Sequence, residues 1–190
     1  MEDAIIQRAQ LGDQAAFRQL VEAYADVAWR TARVLLADRE AAQDALQEAW
    51  LDAWRGLPRF QRGRLFRPWL LTLVANRCRM AARHKRVSTV TLDDTELEGL
   101  VDAEDVLGQI VRGESDAELR AALATLPPEQ QRVLELRYFA DLELSEIALV
   151  SNIPVGTVKS RLHRALEHLR IHLLPERIVR SGAGQKEEHQ

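Results

Sequence analysis

The sequence predicts an all-α protein, with two small helical domains joined by a flexible acidic linker and a helix-turn-helix in the second domain. Three observations carry this. Apolar residues recur at three- and four-residue steps through most of the chain, with no strand-like alternation. Aromatic residues are only 5% of the 190, and 46% are hydrophobic, a soluble and helix-favouring mixture. Charge is also segregated. From Arg59 to Arg86 there are nine Lys or Arg and no acid, from Val87 to Glu114 eight acids and one base, and from Pro154 to Arg180 six bases to two acids. The net charge of −3 therefore hides two basic blocks around an acidic spacer, and contact with phosphate depends on local basic surface.

The elements are taken in chain order. Asp13 after Gly12 is positioned to cap a first helix, whose buried face is Phe17, Leu20, Val21, Tyr24, Ala28, Thr31 and Leu35. A second helix spans Glu40 to Arg55, then a loop from Gly56 to Leu65 is marked by Gly56, Pro58 and Gly63. A third helix runs from Phe66 to His84, with Pro68 tolerated in its first turn. Phe66, Trp69, Leu70, Leu73, Val74 and Met80 form its expected buried face, and Arg77 falls among them on the helical wheel. This first domain covers residues 1–87, and residues 88–114 form the linker.

The second domain covers residues 115–174, followed by a frayed tail, 175–190. It opens with a helix from Ser115 to Leu126, which Pro127 and Pro128 break before a further helix through Phe139. Ser145 is the expected cap of a short helix ending near Asn152, a residue that tolerates the left-handed backbone of a tight turn. Pro154 restarts the chain into a last helix reaching His172. Val158, Leu162, Ala165, Leu166 and Leu169 share its packing face, and Thr157, Ser160, Arg161 and Arg164 lie opposite. Hydroxyls and guanidiniums on an open helix face suit base edges, while Lys159, to one side, suits a phosphate.

The segments ALATLPPEQQRVLELRYF and IPVGTVKSRLHRA, within Ala121 to Arg170, closely resemble the promoter-reading C-terminal domain of bacterial sigma-70-family factors. Within that family the likeness is to the small extracytoplasmic-function group. DALQEAW, Asp44 to Trp50, resembles the family's polymerase-binding helix, and FRPWLLTLVANR, Phe66 to Arg77, its promoter-melting helix. The resemblance implies a sigma factor that binds core RNA polymerase and directs promoter-specific initiation. It implies polymerase contact through Asp44, Gln47 and Glu48. It implies −10 contact through Arg62, Arg64, Arg67, Asn76, Arg79 and Arg83, and −35 contact through Thr157, Lys159, Ser160, Arg161 and Arg164. The loop from Pro58 to Leu65 corresponds to the one that holds an extruded base in the family; Phe60 is open to stacking on that base or to joining the core. An anti-sigma protein is a further implied partner. The chain departs from the family pattern at Ala41, Ala42 and Gln43, where acids are frequent, and at Met80, where one acid is frequent.

Catalytic and cofactor chemistry is not expected. His168 and His172 are spaced as a metal pair, but no acid or cysteine completes a site. Cys78, the only cysteine, reads as a small buried residue. There is no P-loop, dinucleotide fingerprint or triad motif, so neither an enzyme, a cofactor nor a small-molecule substrate is expected. No apolar run reaches the roughly 20 residues of a membrane span, and MEDAIIQRAQ has no signal-peptide core. A cytoplasmic protein without membrane insertion is the expectation. The competing readings are a stand-alone helix-turn-helix regulator of operator DNA and a nucleic-acid enzyme with a helix-turn-helix appendage. A fold-back of the linker acids Asp93, Asp94, Glu96 and Glu98 onto the basic faces is a further expectation.

Overall fold

Side chains and prolines set the helix starts in this chain. In the computed structural model, which describes residues 2–61, 63–88 and 121–173, every long element is a helix. Helix α1 is Glu2–Gln10, α2 is Gln14–Leu35, α3 is Arg39–Gly56 and α4 is Phe66–Ser88. In the C-terminal stretch, α5 is Pro128–Tyr138, α6 is Leu144–Ser151 and α7 is Val155–Leu173. Residues 121–124 are also helical. Arg62, most of the proposed linker (89–114), the start of the predicted helix at 115–120 and the tail lie outside the described residues.

Asp13 caps α2 as expected, accepting from the amides of Ala15 and Ala16 at 2.9 and 3.1 Å. Asp38 caps α3 in the same way, accepting from Glu40 and Ala41. Each such cap satisfies amides that the first helical turn leaves without partners. The start of α6 corrects the sequence reading. Its N-cap is Glu143, not Ser145, and the Glu143 amide donates to Glu146 Oε2 at 2.9 Å. Ser145 is instead an exposed residue inside the helix. Asn152 ends α6 with φ 55° and ψ 46°, the left-handed geometry expected of the turn.

The N-terminal unit buries Leu20, Ala28, Ala49, Leu57, Phe66, Leu70 and Val74 in one core. It also holds an element not separately foreseen, α1, which contributes Ile6 and Ala9. Phe60 and Trp69 pack with ring centroids 4.9 Å apart, and Phe60 stands 6.0 Å from Phe66. Only 7% exposed, Phe60 belongs to the core rather than to a stacking surface. Met80 is a correction in the other direction: it is 44% exposed and outside the buried face. Leu166 likewise leaves the packing face of α7, at 42% exposed.

A second core joins the two units. Val27 of α2 and Leu71 and Ala75 of α4 pack with Val133, Leu136, Leu142, Ile147, Val150 and Val158 of the C-terminal unit. Helix α4 therefore buries two faces, one toward its own unit and one toward α6. The sequence pattern points to a single face, because Leu71 and Ala75 lie outside the stripe begun by Phe66, Leu70 and Val74.

Candidate nucleic-acid and polymerase interface

Asp38 starts α3 so that Ala42, Ala45, Ala49 and Ala53 fall on its buried side. Small residues there bring the helix close to its neighbours. The opposite side carries Asp44, Gln47 and Glu48, all exposed, which forms the ridge expected from the sequence. Glu48 is not isolated: Arg77 Nη1 of α4 stands 3.4 Å from its Oε2. The main partner of Arg77 is Asp52, which accepts two hydrogen bonds of 2.5 Å, from Nε and Nη2. Arg77 thus does not enter the apolar face but braces α3 against α4. The donated hydrogen bonds hold the Asp52 carboxyl below its ordinary range. Sequence reasoning missed Asp52 because the pairing spans two helices and no local spacing announces it.

On α4, Asn76 and Arg83 are exposed and Arg79 is half-buried. Arg79 Nη2 donates to Asn76 Oδ1 at 2.8 Å, and Arg83 Nε donates to the Arg79 carbonyl at 3.3 Å. These three form one polar strip. Arg64 is exposed in the preceding loop. Arg67 has a different setting. Its Nε lies 3.0 Å from Glu146 Oε1, and its Nη2 donates to the Asp141 carbonyl at 2.5 Å. Glu146 is buried, at 7% exposed. One carboxylate therefore caps α6 through one oxygen and engages Arg67 through the other. Neither Glu146 nor Asp141 was foreseen, since both belong to the other unit. Arg62 lies outside the described residues.

The last helix presents Lys159, Ser160 and Arg164 exposed, with Thr157 and Arg161 half-buried. Ser160 Oγ donates to the Thr157 carbonyl at 3.0 Å. Beneath this face, Val158 and Ala165 are fully buried. The structure brings together the five candidates of α7 on one helix and leaves Asp44, Gln47 and Glu48 on another. Cys78 is buried, and burial pushes its thiol up to about 12, so a thiolate is strongly disfavoured near neutral pH. His168 Nε2 lies 2.8 Å from Thr125 Oγ1.

Known proteins share both halves of this arrangement. The family model described as Sigma-70 region 2 matches residues 20–87, and the one described as Sigma-70, region 4 matches residues 116–169. The RNA polymerase sigma-H factor of Pseudomonas aeruginosa is 34% identical over 174 residues, 87% of this chain and 90% of that protein. The ECF RNA polymerase sigma factor SigW of Bacillus subtilis is 33% identical over 175 residues, 87% of this chain and 92% of that protein. The chain belongs to the sigma-70 family. Its relatives place it among the extracytoplasmic-function sigma factors. As a sigma factor it binds core RNA polymerase and directs transcription initiation at promoters. The family consists of initiation factors rather than enzymes. Its fold is shared by a solved structure of the sigma factor RpoE in complex with the anti-sigma factor NepR from Bartonella quintana. That likeness has a TM-score of 0.55 and 20% identity, covering 84% of this chain and 98% of the other. No described helix of this sigma factor is long and apolar enough to cross a membrane.

Proposed function

We propose that this sigma factor divides promoter recognition between its two units. Residues 1–87 hold polymerase through Asp44, Gln47 and Glu48. They read the −10 element through Arg62, Arg64, Arg67, Asn76, Arg79 and Arg83. Residues 115–174 read the −35 element through Thr157, Lys159, Ser160, Arg161 and Arg164, with 88–114 as linker and 175–190 as tail. The supporting observation is the separation of these groups onto distinct surfaces: the ridge on α3, the strip on α4 and the open face of α7. Since polymerase tethers both units, neither DNA contact needs high affinity alone. Opening then results from tighter binding of the melted strand than of the duplex, a shift of population without bond-making.

Arg67 adds a condition. While it is held by Glu146 and the Asp141 carbonyl, it is not available to DNA. Reading of the −10 element by Arg67 therefore requires the two units to part, and polymerase, by spacing them apart, supplies the opening. An anti-sigma protein masking these same surfaces fits the family and acts in the cytoplasm, where the polymerase is. A stand-alone operator-binding regulator accounts for α7 but leaves the α3 ridge and both family matches without a role. The deciding experiment is promoter-specific transcription with purified core polymerase. The chain alone is expected to bind promoter DNA weakly, and addition of core is expected to produce specific initiation that Asp44→Arg or Glu48→Arg abolishes. Tight specific operator binding without core, unchanged by core, would overturn the proposal.

A further inference from the structure

The segment matched as region 2 begins at residue 20, so α1 lies ahead of it, yet α1 meets the turn that feeds the loop before α4. The chain leaves the core at Phe60, 7% exposed, and returns to it at Phe66, 1% exposed. Between them Gln61, Gly63, Arg64 and Leu65 are all exposed. Such an arc takes its course from the peptide at which it departs. The peptide unit is planar, so one backbone angle, ψ of Phe60, fixes both where the Phe60 carbonyl points and where Gln61 goes. Here that ψ is 127°.

The half-buried Gln10, last residue of α1, grips the same carbonyl. Its Nε2 donates to the Phe60 carbonyl at 2.8 Å and to the Leu57 carbonyl at 3.1 Å. The Leu57 carbonyl also closes the turn, accepting from the Phe60 amide at 3.0 Å. Both partners are acceptors, so only the amide nitrogen of Gln10, with its two N–H groups, can face them. Helix α1 is itself held in place. It buries Ile6 and Ala9, and Arg8 donates from Nε and Nη2 to the Asp13 carboxylate at 2.9 and 2.6 Å. At the other end the Tyr24 hydroxyl donates to Glu2 Oε1 at 2.7 Å. The helix is thus tied to α2 and its cap at both ends, and its last side chain stands at the point where the loop departs.

We propose that Gln10 is a positioning residue for promoter opening: its two hydrogen bonds fix the direction in which the loop leaves the core, and so set where Arg64 meets the −10 DNA. This rests on the reading of the loop and α4 as the −10 surface.

The test uses holoenzyme reconstituted with core polymerase and follows the first-order rate of −10 opening after the holoenzyme has bound, read by 2-aminopurine fluorescence in the −10 element. A rate per bound complex is insensitive to how much of a variant is folded. Gln10→Met keeps the reach of the side chain and removes both donors. It is expected to slow opening about tenfold, the scale of two neutral hydrogen bonds lost, while binding to −35 duplex stays unchanged. Gln10→Lys, which returns N–H donors at similar reach, is expected to recover most of the rate. In an Arg64→Ala background, Gln10→Met is expected to slow opening by no more than about twofold further, because its effect passes through Arg64. Opening at the wild-type rate by Gln10→Met would overturn the inference. So would an undiminished effect of Gln10→Met in the Arg64→Ala background, the mark of a general loss of structure. In both cases the −10 reading stands provided Arg64→Ala alone slows opening. If Arg64→Ala opens like the wild type, the −10 reading of the loop fails, and the inference with it.

Discussion

The two basic surfaces of this sigma factor are built differently. The face of α7 proposed to read DNA lies opposite a packing side built on Val158, which joins the core shared by the two units, and Ala165, which packs within its own unit, and Lys159, Ser160 and Arg164 stay open to solvent. The strip on α4 sits on a helix buried along two faces, one of them against the other unit. Its first arginine, Arg67, is already engaged by Glu146. The difference teaches that a helix with a wider apolar arc than one neighbour requires has a second mate. Here the second mate is the C-terminal unit itself, so part of the α4 surface is covered by the back of that unit.

The strongest way to break this comparison is to remove the second face of α4. Leu71 is fully buried in the shared core, and Leu71→Ala is expected to cost about 2–5 kcal/mol of stability while the units stay closed. Parting of the units relieves that cost. Energy transfer between dyes on α2 and α7 should therefore drop in the variant, and unchanged transfer with unchanged stability would show that the packing is not formed in solution. The proposed −35 contacts come next. Arg164→Ala is expected to weaken holoenzyme binding by about 1–3 kcal/mol at its cognate promoter and to relax selection at one base pair, if the contact is to a base. Binding titrations on matched and mismatched −35 sequences decide it.

Smaller effects sharpen the picture. Glu146→Gln removes the charge holding Arg67, and the free chain should bind a −10 single strand severalfold more tightly, an increase that Arg67→Ala cancels. Lys159→Ala should weaken promoters uniformly and lower the salt slope of binding by about one. The smallest effect concerns acid stability. The Asp52 carboxyl is held below its ordinary range by Arg77, so its contribution is present above the unfolded carboxylate range, near 3.9, and is lost as pH falls through the folded value. Asp52→Asn should flatten that part of an acid-unfolding curve, monitored by tryptophan emission. All four tryptophans, Trp29, Trp50, Trp54 and Trp69, report on the N-terminal unit.

Much of this was legible in the sequence because the signals are local. The Asp13 cap, the left-handed Asn152, and the stripes of α2 and α7 depend on neighbours a few residues away. The open ridge of Asp44, Gln47 and Glu48 comes from helical spacing alone. What escaped is non-local. Leu71 and Ala75 look like surplus apolar residues until a second unit covers them, and Arg77 looks misplaced until Asp52 is found opposite. Ser145 is a common capping residue and draws the assignment, but Glu143 and Glu146 bracket the true helix start. Helix α1 went unassigned because it is only nine residues long and buries just Ile6 and Ala9 before the break at Gly12 and Asp13. Its hold on the loop before α4 depends on Gln10 reaching a turn 47 residues away.

The brace between Arg77 and Asp52 bears on how such a chain can drift. A guanidinium paired through two hydrogen bonds with a partly buried carboxylate leaves an uncompensated charge when either partner is lost alone. Lineages descending from this sequence should therefore change the two positions together, or lose both to a neutral pair in quick succession. Because Glu48 lies beside the same guanidinium, such a paired change would also alter the charge presented along the ridge, so that a substitution made for stability would be felt by the polymerase.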